Sequence, residues 1–434
     1  MKYLEVVVVG SGPSALATVR ELYATQREIN ITVLDPGNIA EPSLSMGLKS
    51  YFGSLHMYDQ QDLNHEEMRP VTWPSASKGG FTRIWGAVIG VNPEPEFLES
   101  INFSDGKNRE FTTLSRQRIL KSYQARSDTK WKLEEHIVAV NPKLCIMCGN
   151  CLTGCPTNAI WFAGDYWQEF SNLKFVGNFK VSHMEKILNK VKIYSEQHKS
   201  IDADLVFIAA GPISSAKILM RSKLITTAVS FSDTQALFFP ALRLPVNEEA
   251  KSFALSQISA RLNWPTGGMN YLQLYPDSRN LINSIQMHKP LFGKLISGLW
   301  RAISPFVVTG IWYRDSKFSP VLKLKMTIDG EFILSKNLDN ERRAPRFLSF
   351  KISRRIFSEF RILPIFSLGK IAEAGESYHF GASAEIANFN KESLSTNIKV
   401  VDASAMSEII PGPITNSVMK QAKWIVSETL KAIK

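Results

Sequence analysis

The stretch EVVVVGSGPSALATVREL, beginning at Glu5, constrains the fold more than any other part of the chain. Val6 to Val9 are apolar on both faces, the pattern of a parallel strand covered from both sides. Gly10, Gly12 and Ala15 then occupy the G-x-G-x-x-G/A positions. At those positions Gly10 permits the tight turn and Gly12 lets the backbone approach a pyrophosphate. Ala15 is small enough for the next helix to pack on the strand. That helix would offer free N–H groups and a positive dipole end to phosphate. A second strand, NITVLD, ends in Asp35. It lies about twenty residues past the glycines, where a carboxylate can bind a ribose hydroxyl. The alternative is an ordinary strand–helix turn without a nucleotide. The motif opens the chain, a placement common in flavoproteins, so FAD is preferred to NAD.

Length and charge set the outer bounds. A chain of 434 residues exceeds what one core usually serves, so two or more domains are expected. An apolar fraction of 44% and a charged fraction of 21% are globular values. Lys plus Arg number 51 against 40 Asp plus Glu, a formal charge of +11, but no run of five basic residues occurs. Scattered charge indicates a solvated surface with an anionic cofactor or partner, and no nucleic acid. The opening apolar run is short, β-branched and closed by glycine, unlike a secretory signal. No apolar run is long enough to span a membrane. The expected location is the cytoplasm, where thiols stay reduced.

All four cysteines, Cys145, Cys148, Cys151 and Cys155, lie in CIMCGNCLTGCP. The spacing C-x2-C-x2-C-x3-C-P is that of bacterial ferredoxins and points to an iron–sulfur cluster. In two-cluster ferredoxins the fourth cysteine of such a run serves the other cluster. No cysteine remains here for a second one. Either all four bind one 4Fe–4S cluster in a modified loop, or three bind a 3Fe–4S cluster. Zinc is the first rival, but four-cysteine zinc sites usually come as two separated knuckles. Disulfides are the second, and would need an oxidising compartment. A cluster beside a flavin implies a dehydrogenase with an external acceptor, because a flavin takes electrons in pairs and a cluster passes them singly.

Three further stretches carry a resemblance. They are SKGGFTRIWGAVIG from Ser77, DADLVFIAAGPISSAKILMRS from Asp202, and GESYHFGASAEI from Gly375 followed by IKVVDASAMSEIIPGPITNSVMKQAKWIV. With the N-terminal turn they resemble, in order, the blocks of the glucose–methanol–choline (GMC) family of FAD-dependent oxidoreductases. The blocks are the glycine pair Gly79–Gly80 with Trp85–Gly86, the strand ending Ala209–Ala210–Gly211, the His379-x-Gly381-x-Ser383 step, and Val401–Asp402–Ala403–Ser404 before a proline turn. The resemblance implies an α/β fold: a discontinuous Rossmann-type FAD domain plus a smaller α+β substrate domain with an antiparallel sheet. The implied FAD contacts are Gly10, Gly12, Pro13, Ser14, Ala15, Asp35, Gly79, Gly80, Thr82, Trp85, Gly86, Val181, Ala210, Gly211, Asp402, Ala403 and Pro413. Some GMC-type sugar dehydrogenases carry a similar cysteine-rich insertion ending C-P-x-x-A with a 3Fe–4S cluster. By that resemblance Cys145, Cys151 and Cys155 are ligands and Cys148 is the uncertain one.

Alcohol oxidation needs a base for the hydroxyl proton, and a neutral imidazole suits that task near pH 7. Of seven histidines, only His379 lies where the family places its catalytic base. Family members typically carry Asn-Pro before the last helix, whereas this chain has Gly412–Pro413. Asn416, one helical turn on, is the candidate second catalytic residue; its alternative role is to start the helix.

The expected division is 1–90, 172–222 and 373–434 for the FAD domain, 91–171 for the cysteine-rich insertion and 223–372 for the substrate domain. FALSQISARLNW, MNYLQLYP and VLKLKMTI read as substrate-sheet strands. The stretch KPLFGKLISGLWRAISPFVVTGIWYR, Lys289 to Arg314, mixes apolar and cationic residues. It reads either as a helix followed by a strand or as a segment lying on a membrane surface. The lead expectation is a dehydrogenase for an alcohol or a sugar, with a glycan or a lipid-linked sugar included. Its electrons would leave through the cluster to a protein or quinone acceptor, with peripheral membrane contact on the cytoplasmic face as an option. The alternatives are a flavin/iron–sulfur electron-transfer subunit without substrate chemistry, and a zinc-stabilised binding module.

Overall fold

A computed structural model describes residues 3–25, 27–38, 63–66, 77–83, 85–90, 131–134, 137–141, 144–146, 148, 151, 155–243, 255–256, 258–263, 268–275, 306–337, 354, 356, 362–392 and 397–433. The cationic apolar stretch at 289–305 and most of the expected 91–171 insertion lie outside the described residues.

The valine run forms the Leu4–Val9 strand at the centre of a five-stranded parallel sheet. The sheet order is Ile398–Val400, Leu205–Ile208, Leu4–Val9, Ile29–Leu34 and Leu173–Val176. Val6 to Val9 are at most 4% exposed, and Leu205 to Ile208 are fully buried. Burying each such side chain contributes roughly 1.5–3 kcal/mol. The Pro13–Ala24 helix follows the first strand with Ala15, Leu16, Ala17 and Val19 fully buried. The last helix, Thr415–Ala432, packs on it. Val418, Ala422, Ile425, Val426 and Leu430 recur at helical spacing on its buried face.

The remaining strands are mainly antiparallel. A seven-stranded sheet includes Ala236–Arg243, Ile258–Asn263, Met269–Tyr275 and Val307–Tyr313. A five-stranded sheet runs Phe380–Gly381, Val229–Asp233, Val321–Met326, Phe332–Asn337 and Leu63–Glu66. Val181–Ile187, Lys190–Ser195 and Ser200–Ala203 form a separate three-stranded sheet. The observed class is thus α/β with a parallel nucleotide-type sheet and attached antiparallel sheets, as the sequence indicated.

Two edge strands come from distant parts of the chain. Leu63–Glu66 pairs in parallel with Phe332–Asn337, and Trp131–Glu134 pairs with Ile258–Asn263. The Val307–Tyr313 strand lies near the end of the Lys289–Arg314 stretch, so that part of it is a sheet element. Among the described residues no helix is long and apolar enough to cross a membrane.

At Gly10, φ is +102°, and a Cβ there would lie 2.4 Å from the Ala209 carbonyl oxygen. Gly10→Ala combines left-handed backbone strain with overpacking against main chain, and is expected to lower unfolding free energy by roughly 2–4 kcal/mol. Urea denaturation measures this, and a loss below the uncertainty of the fit would show that the turn relaxes freely.

Candidate active site and cysteine segment

The glycine turn lies among main-chain surfaces that leave open space on one side. A Cβ added at Gly12 or at Gly211 would meet no atom within 4 Å. Pro13 and Ser14 open the helix that follows Gly12. Gly79 N–H donates to Ser11 Oγ at 2.8 Å, and a Cβ on Gly80 would come 3.5 Å from Gly12 Cα. The Gly79–Gly80 loop therefore folds over the turn. Asp35 is buried, and its Oδ1 accepts the Gly37 N–H at 2.7 Å. Its backbone oxygen accepts the Phe179 N–H at 2.9 Å, two residues before Val181 opens its strand. An open cradle lined by glycines at the head of a helix fits a pyrophosphate, so these residues fit FAD.

Asp402 closes the other side. Its buried carboxylate accepts from Ser215 Oγ, from Ser404 N–H at 2.9 Å and from Ser404 Oγ at 2.5 Å. Burial raises its pKa, and hydrogen bonds from Ser215, Ser404 and the Gly211 backbone oppose the shift. The side chain thus ties the Ala210–Gly211 exit to the Ala403–Ala405 turn. Ala403 O accepts the Ala382 N–H at 2.8 Å, and a Cβ on Gly381 would lie 2.4 Å from that oxygen. This close packing sets the Phe380–Gly381 strand, and with it His379, against the Asp402–Ala403 turn.

The His379 ring stacks on Tyr313, with centroids 4.7 Å apart and planes at 27°. Tyr313 lies 6.4 Å from Tyr271. Gly412 has φ +110°, and a Cβ there would lie 2.9 Å from the Tyr271 ring. The tyrosine pair therefore links His379 to the Gly412–Pro413 turn before the last helix. His379 Nδ1 and Asn416 Oδ1 are both buried without a hydrogen-bond partner. Each such orphan costs about 1–3 kcal/mol until something satisfies it. Asn416 makes no capping bond, and Ile414 is the cap residue, so the helix-start role fails. Burial lowers the His379 pKa from 6.5 to about 4. The residue as a whole is half-buried, and the ring is neutral at pH 7. Tyr271 and Tyr313 carry no sequence motif; as apolar members of alternating strands they read as core.

The cysteine run hangs from a tied base. Val140 bridges Ile160, Asn141 N–H donates to Ala159 O at 2.7 Å, and Ile137–Val138 pairs with Val88–Gly90. Cys155 is buried, Cys145 and Cys151 are half-buried and Cys148 is exposed; none is in a disulfide. Cys155 Sγ accepts the Ala159 N–H at 3.2 Å. Burial pushes its pKa up, but hydrogen bonds from Thr157, Ala159 and Ile160 outweigh this and the net shift is downward. That environment suits a thiolate ligand. Among the described residues no three His, Cys, Asp or Glu side chains are gathered around a metal position. The four-thiol donor set fits a cluster whose binding draws the sulfurs together.

The exit of the run lies on the glycine loop. Trp85 Nε1–H donates to Trp161 O at 3.0 Å, and the two indole rings are 5.4 Å apart. Thr82 Oγ1 donates to Gly79 O at 2.6 Å and accepts the Ala163 N–H at 3.2 Å. Trp167 Nε1–H reaches Ser11 O at 3.2 Å. A Cβ on Gly86 would lie 3.3 Å from the Tyr275 hydroxyl, so this loop also meets the antiparallel sheet.

Two comparisons bear on this geometry. The family described as "4Fe-4S binding domain" matches residues 138–161, the tied base and the whole cysteine run. The fold is similar to the crystal structure of pyridoxine 4-oxidase from Mesorbium loti, with a TM-score of 0.59 over 98% of each chain at 13% identity. In all, 775 chains of solved structures match, so the architecture alone does not specify a reaction. No curated protein matches the sequence.

His379 makes stability depend on pH in a defined direction. Its folded pKa of about 4 lies below the ordinary 6.5, so the unfolded chain binds a proton in that window and the folded one does not. Stability is therefore expected to fall as pH is lowered from 6.5 toward 4. Urea titrations across this window should show a shallower slope for His379→Asn; equal slopes would mean that the ring titrates normally.

Proposed function

We propose that the chain is an FAD-dependent oxidoreductase of the GMC type that oxidises the hydroxyl of an alcohol or sugar to a carbonyl. The observation that carries this is His379: a neutral imidazole with an unpartnered Nδ1, stacked on Tyr313 and fixed against the Asp402–Ala403 turn. FAD bound along Gly10–Ala15, Gly79–Gly86, Gly211 and Asp402–Ala403 would accept the carbinol hydrogen with its electron pair, and an iron–sulfur cluster on the cysteines would give electrons a one-at-a-time exit. His379 takes the hydroxyl proton on its unpartnered imidazole nitrogen, because burial keeps the ring uncharged at neutral pH. Asn416, with an unpartnered Oδ1 in the first turn of the last helix, would serve as a second polar contact for substrate. The Tyr313–Tyr271 pair excludes water behind the imidazole.

The structural neighbour is by its name an oxidase of pyridoxine, which supports a redox reaction on a small molecule. The cysteine run favours a dehydrogenase that passes electrons to a protein or quinone over an oxidase. Cys145, Cys151 and Cys155 are the proposed ligands in either cluster type. The exposed Cys148 is a ligand only if the cluster is 4Fe–4S.

Anaerobically purified protein is expected to show a flavin spectrum and to contain iron and acid-labile sulfide. Cys155→Ser should lose the iron, and retention of a 3Fe–4S signal in Cys148→Ser would settle the nuclearity. Colourless, iron-free protein removes the proposal. With flavin content unchanged, His379→Asn should slow flavin reduction by an alcohol about 10²–10⁴-fold. An unaltered rate in that variant takes His379 out of the chemistry and favours a different base.

A further inference from the structure

Asp233 ends the Val229–Asp233 strand and is fully buried, yet no sequence motif singles it out. Its carboxylate accepts Ser377 Oγ–H at 2.5 Å on Oδ1 and the Gly375 N–H at 2.8 Å on Oδ2. Ser377 Oγ in turn accepts the His379 N–H at 3.0 Å. On the other side of the same residue, His379 O accepts the Thr234 N–H at 3.3 Å and the Thr234 Oγ–H at 3.2 Å. Both peptide groups of His379 are therefore held by Asp233, its sequence neighbour Thr234, and one serine. In the register of the sheet, Asp233 stands directly opposite Phe380.

We propose that Asp233, acting through Ser377, is the positioning residue that fixes His379 for proton transfer; this rests on the reading of His379 as the base. The turn from Gly375 to His379 is not a regular element, and Tyr378 within it has φ +58°. A left-handed tyrosine is an unfavourable conformation that persists only where its surroundings enforce it. The enforcing group is a carboxylate taken out of water, which burial disfavours and which donors on both oxygens make tenable. Burial raises the Asp233 pKa to about 6, with Ser377, Gly375 and Thr234 opposing the rise, so the group is mainly ionised at pH 7. A turn needed only for shape could be held by apolar packing. Directional bonds at each end of His379 instead fix where its ring points, and Tyr313 fixes the ring plane. Asp233 acts through Ser377, and its role is to hold the imidazole in the attack geometry.

The test uses the holoenzyme with Ser377→Ala, Ser377→Thr, Asp233→Asn and Asp233→Ala. Two readouts are taken: hydrogen–deuterium exchange of the peptide spanning Gly375–Gly381, and the limiting rate of flavin reduction by a saturating alcohol. Ser377→Ala and Asp233→Ala should lose exchange protection in that peptide alone, and the limiting rate should fall about 100-fold while the half-saturating alcohol concentration and flavin content stay unchanged. Ser377→Thr keeps the hydroxyl and should restore both readouts, and Asp233→Asn, which still accepts one bond, should fall between. If Asp233→Ala fails to fold, the Ser377 pair decides. Unchanged exchange in Ser377→Ala overturns the proposal, as does lost protection with an unchanged limiting rate. If no alcohol reduces the wild-type flavin, the functional reading falls by itself, and the exchange result still upholds or overturns the clamp.

Discussion

The approach of the Gly10 turn to the Ala209 carbonyl governs how the parallel strands end. Two strand exits that meet main chain to main chain leave no room for side chains between them. What remains open is the space over Gly12 and Gly211, at the head of a helix. The other parts of the site are referred to this contact. Asp402 reaches back to Ser215 and the Gly211 backbone, and Gly79 hydrogen-bonds Ser11. A slip at Gly10 would propagate to the glycine loop, to the Ala403 turn and to His379.

Four buried polar residues of the candidate site fall into two kinds. Asp233 and Asp402 are carboxylates saturated with donors, and each holds a turn in place. His379 Nδ1 and Asn416 Oδ1 are left without a partner. In a folded core such orphans are rare because they cost stability. Satisfied carboxylates beside unsatisfied ring and amide atoms separate the residues that build the site from those with capacity left for a ligand.

Much of this was legible in the sequence where a motif is short and local. The glycine turn, the Ala209–Gly211 exit and the Val401–Ser404 step each encode a backbone path within a few residues, and the parallel sheet follows from them. The cysteine spacing likewise carries its chemistry in one stretch. The Tyr313–Tyr271 wall and the Asp233 hub were not legible, because their partners are brought together by strand register across long separations. One aspartate at a strand end looks like any other until Ser377 is folded against it. Asp35 and Asp402 were readable as positions but not in their full role: both carboxylates bond neighbouring backbone and help to shape the turns. The Trp131–Glu134 strand, inside the cysteine-rich segment, gave no hint that it pairs with Ile258–Asn263.

That pairing has a consequence for how the molecule could be rebuilt. The same stretch of chain supplies an outer strand of one sheet, a bridge beneath the thiols and the Trp161–Ala163 packing over the glycine loop. It cannot be lifted out as a cassette, nor transplanted by moving the cysteines alone. Excision would remove the Trp161 and Ala163 contacts to the glycine loop and bare a sheet edge together, so any change to the thiol segment is coupled to the packing of the glycine turn.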